Sequence, residues 1–385
     1  MATVERALVI GAGICGLTTA IALQRQGIDT HVFERADQVR AAGGGIHLWH
    51  NAMSTYVELG IGEEVAAVGT VMREAQFRTH RDRQLARWPL HELDPVHDTV
   101  TVGVARRDLL EVLSSHVPAD RIHTGAEVTD VAEDDDGATA TFADGTTQRG
   151  DVVVGADGIR SAVREAIKGP VPIRYAGYAV WQGTLESFPT DRATPGEFRL
   201  YYGPGRRFAW YHIGGGRLYW FALADHPEED DGDAGDARDQ LTQRFAGWPD
   251  PVPDLPGLTP AEAVQRFGMR DRPPDPDWST CRVTLAGDAA HAMTFNVGQG
   301  ACMGVEDALV LARSLEREPD IPDALQRYQR LRAPRTSGFV KRSWSLGAVA
   351  RWRHPLAVGF RNTVMNVVLP TVAWRQHRSG MTFDT

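Results

Sequence analysis

Apolar residues fall into three patterns along this chain. The first is a short continuous run that stops at a turn, as in "RALVI" at residues 6–10 and "DVVVG" at residues 151–155. Runs of this kind read as strands buried on both faces of a parallel sheet. "DTHVFER" and "RVTLA" belong to the same class, and helical spacing follows the first run in "LTTAIALQRQG". The second pattern is strict alternation. In "FAWYHI" it puts Phe208, Trp210 and His212 on one face of a strand and Tyr211 on the other. The surrounding "GYAVWQGTLES" and "YYGPGRRFAWYHIGGGRLYWFALAD" predict a hairpin-rich sheet. The third is a long helical pattern from Gly300 onward. Near the C-terminus, "LAVGFRNTVMNVVLPTVAW" is interrupted by Arg361 and closed by Pro370, which favours a buried or capping helix over a membrane span.

The joints between these elements carry the chemistry. After the first strand come Gly11-Ala12-Gly13-Ile14-Cys15-Gly16 and a helix; the second strand ends in Glu34. In this arrangement Gly11 makes the tight turn, Gly13 lets a pyrophosphate approach the backbone, and Gly16 lets helix pack on strand. Glu34 is placed to accept hydrogen bonds from a ribose 2′-hydroxyl, with Arg35 beside it. Glycine turns alone are common, whereas strand, glycines, helix, strand and acid in register specify an ADP-binding unit. That unit does not separate NAD from FAD.

Two later joints make the distinction. The strand at 151–155 leads to Asp157-Gly158 and a segment bearing Arg160, Ser161 and Arg164, and "RVTLA" leads to Gly287-Asp288. A carboxylate at such a strand end can hold the hydroxyls of a polyol. The turn Gly298-Gln299-Gly300, continued by Ala301, then aims backbone N–H groups and a positive helix end at an electron-rich centre. A flavin meets both demands, through its ribitol hydroxyls and through a ring edge that becomes negative on reduction. FAD extended from Glu34 to Gly300 is therefore the expected cofactor. Gly45, His47 and Val128 complete its expected surroundings. The fold expected is α/β: a Rossmann-like FAD-binding domain in two segments, 1–170 and 276–335, an inserted β-sheet substrate domain, 171–275, and C-terminal helices, 336–385.

Composition narrows the partners. The 385 residues are 42% hydrophobic and carry a formal net charge of −9, enough for a sizeable core and unfavourable for nucleic acid or an anionic membrane as main partner. No signal-type N-terminus is read, and stable membrane insertion is not expected. Cys15, Cys281 and Cys302 have neither metal-ligand spacing nor a disulfide framework, so no metal is expected and a reducing cytoplasm fits. The acidic "HPEEDDGDAGDARD" reads as a solvated loop.

Three ordered motifs, the glycines at 11–16, Asp157-Gly158 and Gly287-Asp288 with its continuation to His291, resemble the single-component FAD-dependent aromatic hydroxylases. This is the group typified by p-hydroxybenzoate hydroxylase, and the likeness is nearest its salicylate, 3-hydroxybenzoate and urate hydroxylase branch. It spans roughly residues 5 to 335. Asn51-Ala52 is also family-like, and Arg106 occupies the position of an arginine that contacts FAD. The resemblance implies an NAD(P)H- and O₂-consuming monooxygenase acting on an aromatic or other electron-rich small molecule through a flavin C4a-hydroperoxide, a role suited to secondary metabolism. It also implies NADPH or NADH as a transient co-substrate, and a monomer or homodimer. The family places prolines where this chain has Ala292 and Phe295, and its relatives commonly have arginine where Gln182 stands.

Within that frame, His212 is a candidate base for a phenolic proton and Tyr211 a second candidate on the opposite face. Phe295 is a candidate to stack on a flat substrate. Trp181, Trp210, Tyr219 and Trp220 are candidates for an aromatic pocket, though such stripes also build plain core. His47 and His50 are placed to touch pyrophosphate or NAD(P)H, Arg160 and Arg164 to meet nicotinamide phosphates, and His291 to hold its turn. Cys15 at a helix start has a context that can lower a thiol pKa, and otherwise fills space. Two other functions fit the same flavin site: a dehydrogenase or reductase without oxygen transfer, and a flavin-bearing metabolite-binding protein without turnover. Substrate-dependent O₂ uptake separates the first, and absence of NAD(P)H oxidation across many substrates would favour the second.

Overall fold

The computed structural model describes residues 4–39, 44–92, 99–228 and 237–373. Five parallel strands form one sheet, in the spatial order Val283–Leu285, Val152–Gly155, Arg6–Ile10, Asp29–Glu34 and Ile122–Thr124. The three inner strands need no polar alternation because helices and loops cover both faces; Val152, Val153 and Val154 are fully buried. Helix Ile14–Gln24 packs against helix Gly300–Arg317 over this sheet. The strands run the same way, so Ile10, Glu34, Gly155 and Leu285 all end at one edge, where α/β sheets bind ligands.

Seven strands form the second large sheet, in the order Gln265–Asp271, Arg174–Leu185, Leu218–Asp225, Arg206–His212, Glu197–Tyr202, Glu74–Thr79 and Gln84–Pro89. All neighbours are antiparallel except Glu197–Tyr202 with Glu74–Thr79, which run parallel. This sheet does not respect the expected boundary at residue 170. Its last two strands come from the first segment, because "EAQFRT" buries Ala75, Phe77 and Thr79 on one side while its backbone completes the edge of Glu197–Tyr202. The boundary at 335 likewise falls inside one helix, Ile321–Ala350.

Alternation along Arg206–His212 divides the aromatic residues between two places. Phe208, Trp210 and Trp220 join Trp181, Phe245 and Trp248 in a separate core on the far face. Tyr211, Tyr219 and Phe221 face the first sheet. The aromatic-pocket candidates are thus mostly plain core, with Tyr219 the exception.

The C-terminal stretch forms helix Pro355–Val368, in which Val358 and Arg361 are buried. The Arg361 guanidinium donates to the carbonyls of Gly203 and Ala350, at 3.2 and 3.1 Å. Among the described residues no helix is long and apolar enough to cross a membrane. The helix is a half-exposed cap over the second sheet, and so is not a fully buried element either.

Beneath the first sheet's ligand edge lies a fully buried ion cluster. Arg332, from the Ile321–Ala350 helix, pairs with Glu306 and Asp307 on the Gly300–Arg317 helix. Asp307 also accepts from His291, at 2.6 Å, and from the Gly287 N–H, at 2.8 Å. Glu306 accepts from Asn51, at 2.6 Å, and from Arg335. Removing one partner of such a cluster leaves charge without compensation. Arg332→Met is expected to cost about 3–5 kcal/mol, measured as a lower denaturant midpoint for the FAD-free protein; an unchanged midpoint would show the cluster to be energetically neutral.

Candidate functional site

A single cavity of about 1180 Å³ runs from the edge of the parallel sheet to the inner face of the seven-stranded sheet. At one end it is walled by Gly11, Gly13, Glu34, Arg35 and Val128, and along its length by Arg106, Asp157, Gly158, Arg160 and Asp288. Gly300 and Ala301 border its middle, and Tyr211, Tyr219, Phe221 and Phe295 its far chamber.

The glycine loop has the shape that a pyrophosphate needs. Gly11 sits at φ +105, in a region that side chains avoid, and a Cβ there would lie 2.5 Å from the carbonyl oxygen of Ala156. A Cβ on Gly16 would meet the Gly11 carbonyl at 1.9 Å, so this residue sets the packing of helix on strand from outside the cavity wall. Nothing stands within 4 Å of the corresponding point on Gly13, which opens onto the cavity. The first-turn N–H groups of helix Ile14–Gln24 point to that opening, as those of helix Gly300–Arg317 do further along. Glu34 accepts from the Ala12 and Ala36 N–H groups, at 2.9 and 3.0 Å, and so ties the loop to the second strand.

The two aspartates hold their places by different means. One oxygen of Asp157 accepts from the Ala162 and Val163 N–H groups, at 2.8 and 3.3 Å. The other oxygen is buried without a protein partner. Asp288 opens to the cavity, yet the enclosing walls push its carboxyl above the ordinary range, against the pull of His291 and Arg106. A hydroxylated chain supplies donors to both carboxylates. The open glycine cradle, the two helix ends, the unpartnered oxygen of Asp157 and the elongated shape together fit FAD.

Several expected residues lie elsewhere or act differently. His212 is buried on the face of Trp210, away from the cavity, and burial lowers its pKa. A base there cannot reach a substrate in the cavity. Tyr211 does line it, but burial raises its hydroxyl pKa well above the usual value, which makes it a neutral group and a poor base. The Gln299 side chain is fully buried and accepts from Asn51 at 3.0 Å; only its backbone serves the turn. Arg164 is buried against Asp275 and the Ala289 carbonyl, so it is not available to a nicotinamide phosphate, whereas Arg160 is exposed at the cavity wall. Cys15 borders the cavity beside Gly287 and Gly304, and burial raises the thiol pKa that a helix start could have lowered. His50 donates from Nε2 to the Leu90 carbonyl, at 3.0 Å, and its Nδ1 meets the Thr99 hydroxyl at 3.1 Å, off the cavity wall. His291 holds its turn through Asp307.

His47 borders the cavity, stacked on Trp49 at 4.1 Å, with both ring nitrogens buried and unpartnered by protein. Burial, aided by His50, pushes its pKa down to about 3. Gly45 lies against the Tyr219 ring, whose hydroxyl donates to Gln182 at 2.6 Å. Phe295 meets Phe221 edge-on, with centroids 5.0 Å apart, so it closes the chamber against the sheet.

Sequence reasoning missed two features of this chamber. Arg207, in the middle of an aromatic strand, reaches the cavity and donates to the Asn296 side chain. Its signal was an arginine on the Tyr211 face of "RRFAWYH". The outer chamber is closed by the C-terminal helices, through Phe339, Val364 and Leu369.

Residues 5–343 match the family described as FAD binding domain. The chain is 39% identical over 366 residues to the aurachin C monooxygenase/isomerase of Stigmatella aurantiaca, covering 94% of each chain. It is 36% identical over 344 residues to the 3-amino-4-hydroxybenzoate 2-monooxygenase of Streptomyces cremeus, covering 88% of this chain and 86% of that one. Its structure superposes on Klebsiella pneumoniae HpxO complexed with FAD and uric acid with a TM-score of 0.91, at 28% identity, covering 98% and 96% of the two chains.

Two measurements test this site. A charge-assisted hydrogen bond contributes about 1.5–3 kcal/mol, so Asp288→Ala should weaken FAD binding roughly ten- to a hundredfold and purify largely colourless with its fold intact by circular dichroism. Full yellow occupancy would remove Asp288 from the cofactor site. His47 supplies a pH signature in the FAD-free protein. Unfolding frees its ring to bind a proton near its ordinary value of about 6.5, whereas the folded value is about 3. The unfolded state therefore binds more protons across that interval, and stability falls as pH drops through it. His47→Phe should flatten the slope of urea midpoint against pH between those values; an unchanged slope would refute the neutral buried ring.

Proposed function

This chain belongs to the FAD binding domain family and is an FAD-dependent monooxygenase, and on that premise we propose that it oxygenates an electron-rich aromatic small molecule held in the far chamber. The observation that carries this reading is the continuity of the cavity from Asp288 and Gly300 to a wall of Tyr211, Tyr219, Phe221 and Phe295. A flat ring entering there meets aromatic faces and edges, which favour stacked and T-shaped contacts. When bound, FAD takes reducing equivalents from NAD(P)H and activates O₂.

The chain's own residues would act by placement. Asp157 and Asp288 would receive the hydroxyls of the cofactor's polyol chain. The backbone N–H groups at Gly300 and Ala301 would face the flavin edge that gains negative charge. Arg106, near Asp288, lies on the same wall and would balance charge there. Arg207, oriented by Asn296, supplies donors to a substrate oxygen. Tyr211 stays protonated and can donate a hydrogen bond without removing a proton. Phe295 and Phe221 form an apolar lid that keeps water from the reacting centre. Since His212 is sealed behind the sheet, the substrate must already be electron-rich or lose its proton to solvent. Arg160 would meet the phosphates of a transiently bound NAD(P)H.

The likeness to an aurachin C monooxygenase and to an aminohydroxybenzoate monooxygenase supports an aromatic ring bearing oxygen or nitrogen, and a place in secondary metabolism. The deciding experiment supplies NAD(P)H and ¹⁸O₂ with a panel of phenols, hydroxybenzoates and aminohydroxybenzoates. Incorporation of one labelled atom into product is expected. Oxidation of NAD(P)H that yields only H₂O₂ with every member would favour a reductase instead. Phe295→Ala should raise the H₂O₂ released per NAD(P)H severalfold while flavin content stays intact, because the lid then loses about 1.5–3 kcal/mol of apolar burial; unchanged coupling would rule out the lid role.

A further inference from the structure

The chain's negative charge is not spread evenly. Between Asp323 and Asp384 the sequence has no aspartate or glutamate, yet eleven of its lysines and arginines fall there. Part of this charge is spent internally: Arg332 and Arg335 serve the buried cluster, and Arg351 and Arg353 share Asp225. Lys341 and Arg342 remain exposed on the helix that runs into the corner between the last two helices, and Arg353, although it reaches Asp225, is itself exposed at that corner. Arg206 and Arg244 lie close enough to that corner for Arg353 to repel them. The cations thus crowd one region of a chain that is acidic elsewhere.

The same region presents apolar surface. On helix Pro355–Val368, Leu356, Phe360 and Val367 are 79%, 64% and 67% exposed. Their spacing of four and seven residues puts them on one stripe, while Val358 and Arg361 face inward. Leu346 and Trp352, also exposed, extend the stripe across the corner. Helix Pro355–Val368 itself contains no acidic residue. An isolated exposed leucine needs no explanation, but a contiguous stripe rimmed by cations does.

We infer that this corner, with the outer stripe of helix Pro355–Val368, docks the enzyme on an anionic membrane surface. The apolar side chains would enter the headgroup boundary while Lys341, Arg342 and Arg353 meet lipid phosphates. Trp352 suits that boundary, being an amphipathic ring at the edge of an apolar stripe. Leu346, Trp352, Phe360 and Val364 also line the mouth of the cavity. Docking therefore sets the opening against lipid, so that an apolar substrate can pass from the bilayer to the flavin cleft without crossing water. The whole-chain charge of −9 argued against an anionic surface only because it averaged a basic corner with an acidic remainder.

Flotation of the FAD-loaded enzyme with phosphatidylcholine vesicles, with and without phosphatidylglycerol, tests the inference. Binding to the anionic vesicles is expected, weaker on the neutral ones, and weakened further as salt rises from about 0.1 M to about 1 M. Leu356→Glu with Val367→Glu, neither of which lines the cavity, should reduce binding to anionic vesicles by about tenfold or more. Flavin absorbance, melting temperature and turnover of a water-soluble substrate should be unchanged in that variant. Lys341→Gln with Arg353→Gln should remove the preference for anionic lipid and leave the weaker neutral binding. An enzyme that stays in the aqueous fraction with both vesicle types overturns the inference. So does a light-scattering mass of two chains that falls to one in the Leu356→Glu, Val367→Glu variant without lipid binding, which would assign the stripe to a second copy.

Discussion

The buried ion cluster centred on Arg332 is the constraint on which the cofactor site depends. A single guanidinium holds Glu306 and Asp307, adjacent residues of one helix, and each carboxylate then reaches a different turn. Asp307 fixes the Gly287 backbone and His291, next to Asp288. Glu306 fixes Asn51, which in turn holds Gln299 at the other turn. Both turns that border the cofactor site thereby share one rigid anchor. Charges buried so deeply are costly unless every partner is present. Burial alone would raise the Asp307 carboxyl, but His291 and Arg332 outweigh it and bring it down to about 2. Asp307 therefore stays ionised well into acid, and its hold on the Gly287 backbone does not loosen with ordinary changes of proton concentration.

What could be read from the sequence follows from how local each signal is. The glycines at 11, 13 and 16 act within one turn, so their spacing alone specified the loop. Asp157 and Asp288 follow buried strands and were placed correctly at the sheet edge, since parallel strands must end together. Alternation along "FAWYHI" separates two faces but gives no sign of which face meets the cavity, so it cannot show that His212 lies behind the sheet. The Arg332 cluster was invisible because its partners come from two helices and a strand end brought together only by packing. The parallel pairing of strand 74–79 with strand 197–202 was likewise hidden, because a pairing across more than a hundred residues leaves no local trace.

The chamber is a composite of parts under different demands. Its inner end is polar and fixed, with backbone groups and carboxylates that match one cofactor. Its outer end is apolar and built from long helices whose side chains can change without disturbing the glycine loop. Arg207 is the exception, a cation held within aromatic walls by Asn296, which also donates to Tyr178 and to the Ser343 carbonyl. That chain of contacts couples the substrate sheet to the Ile321–Ala350 helix. Fold and cofactor site thus rest on the polar inner end, while the outer chamber is lined by residues of other elements.

The parallel pairing of Glu197–Tyr202 with Glu74–Thr79 has a consequence for how the polypeptide can be made. The seven-stranded sheet takes its far edge from chain that lies between the second strand of the nucleotide unit and its last helices. In sequence the strands of one sheet lie between those of the other, so no single cut separates them, and the two halves are not modules that could be exchanged between relatives by simple splicing. During synthesis the early hairpin must wait, with its edge unpaired, until the later strands emerge. That wait is long in residues, and contacts so far apart slow folding and leave an edge open to other chains. Recombination between relatives should therefore succeed only where both stretches travel together.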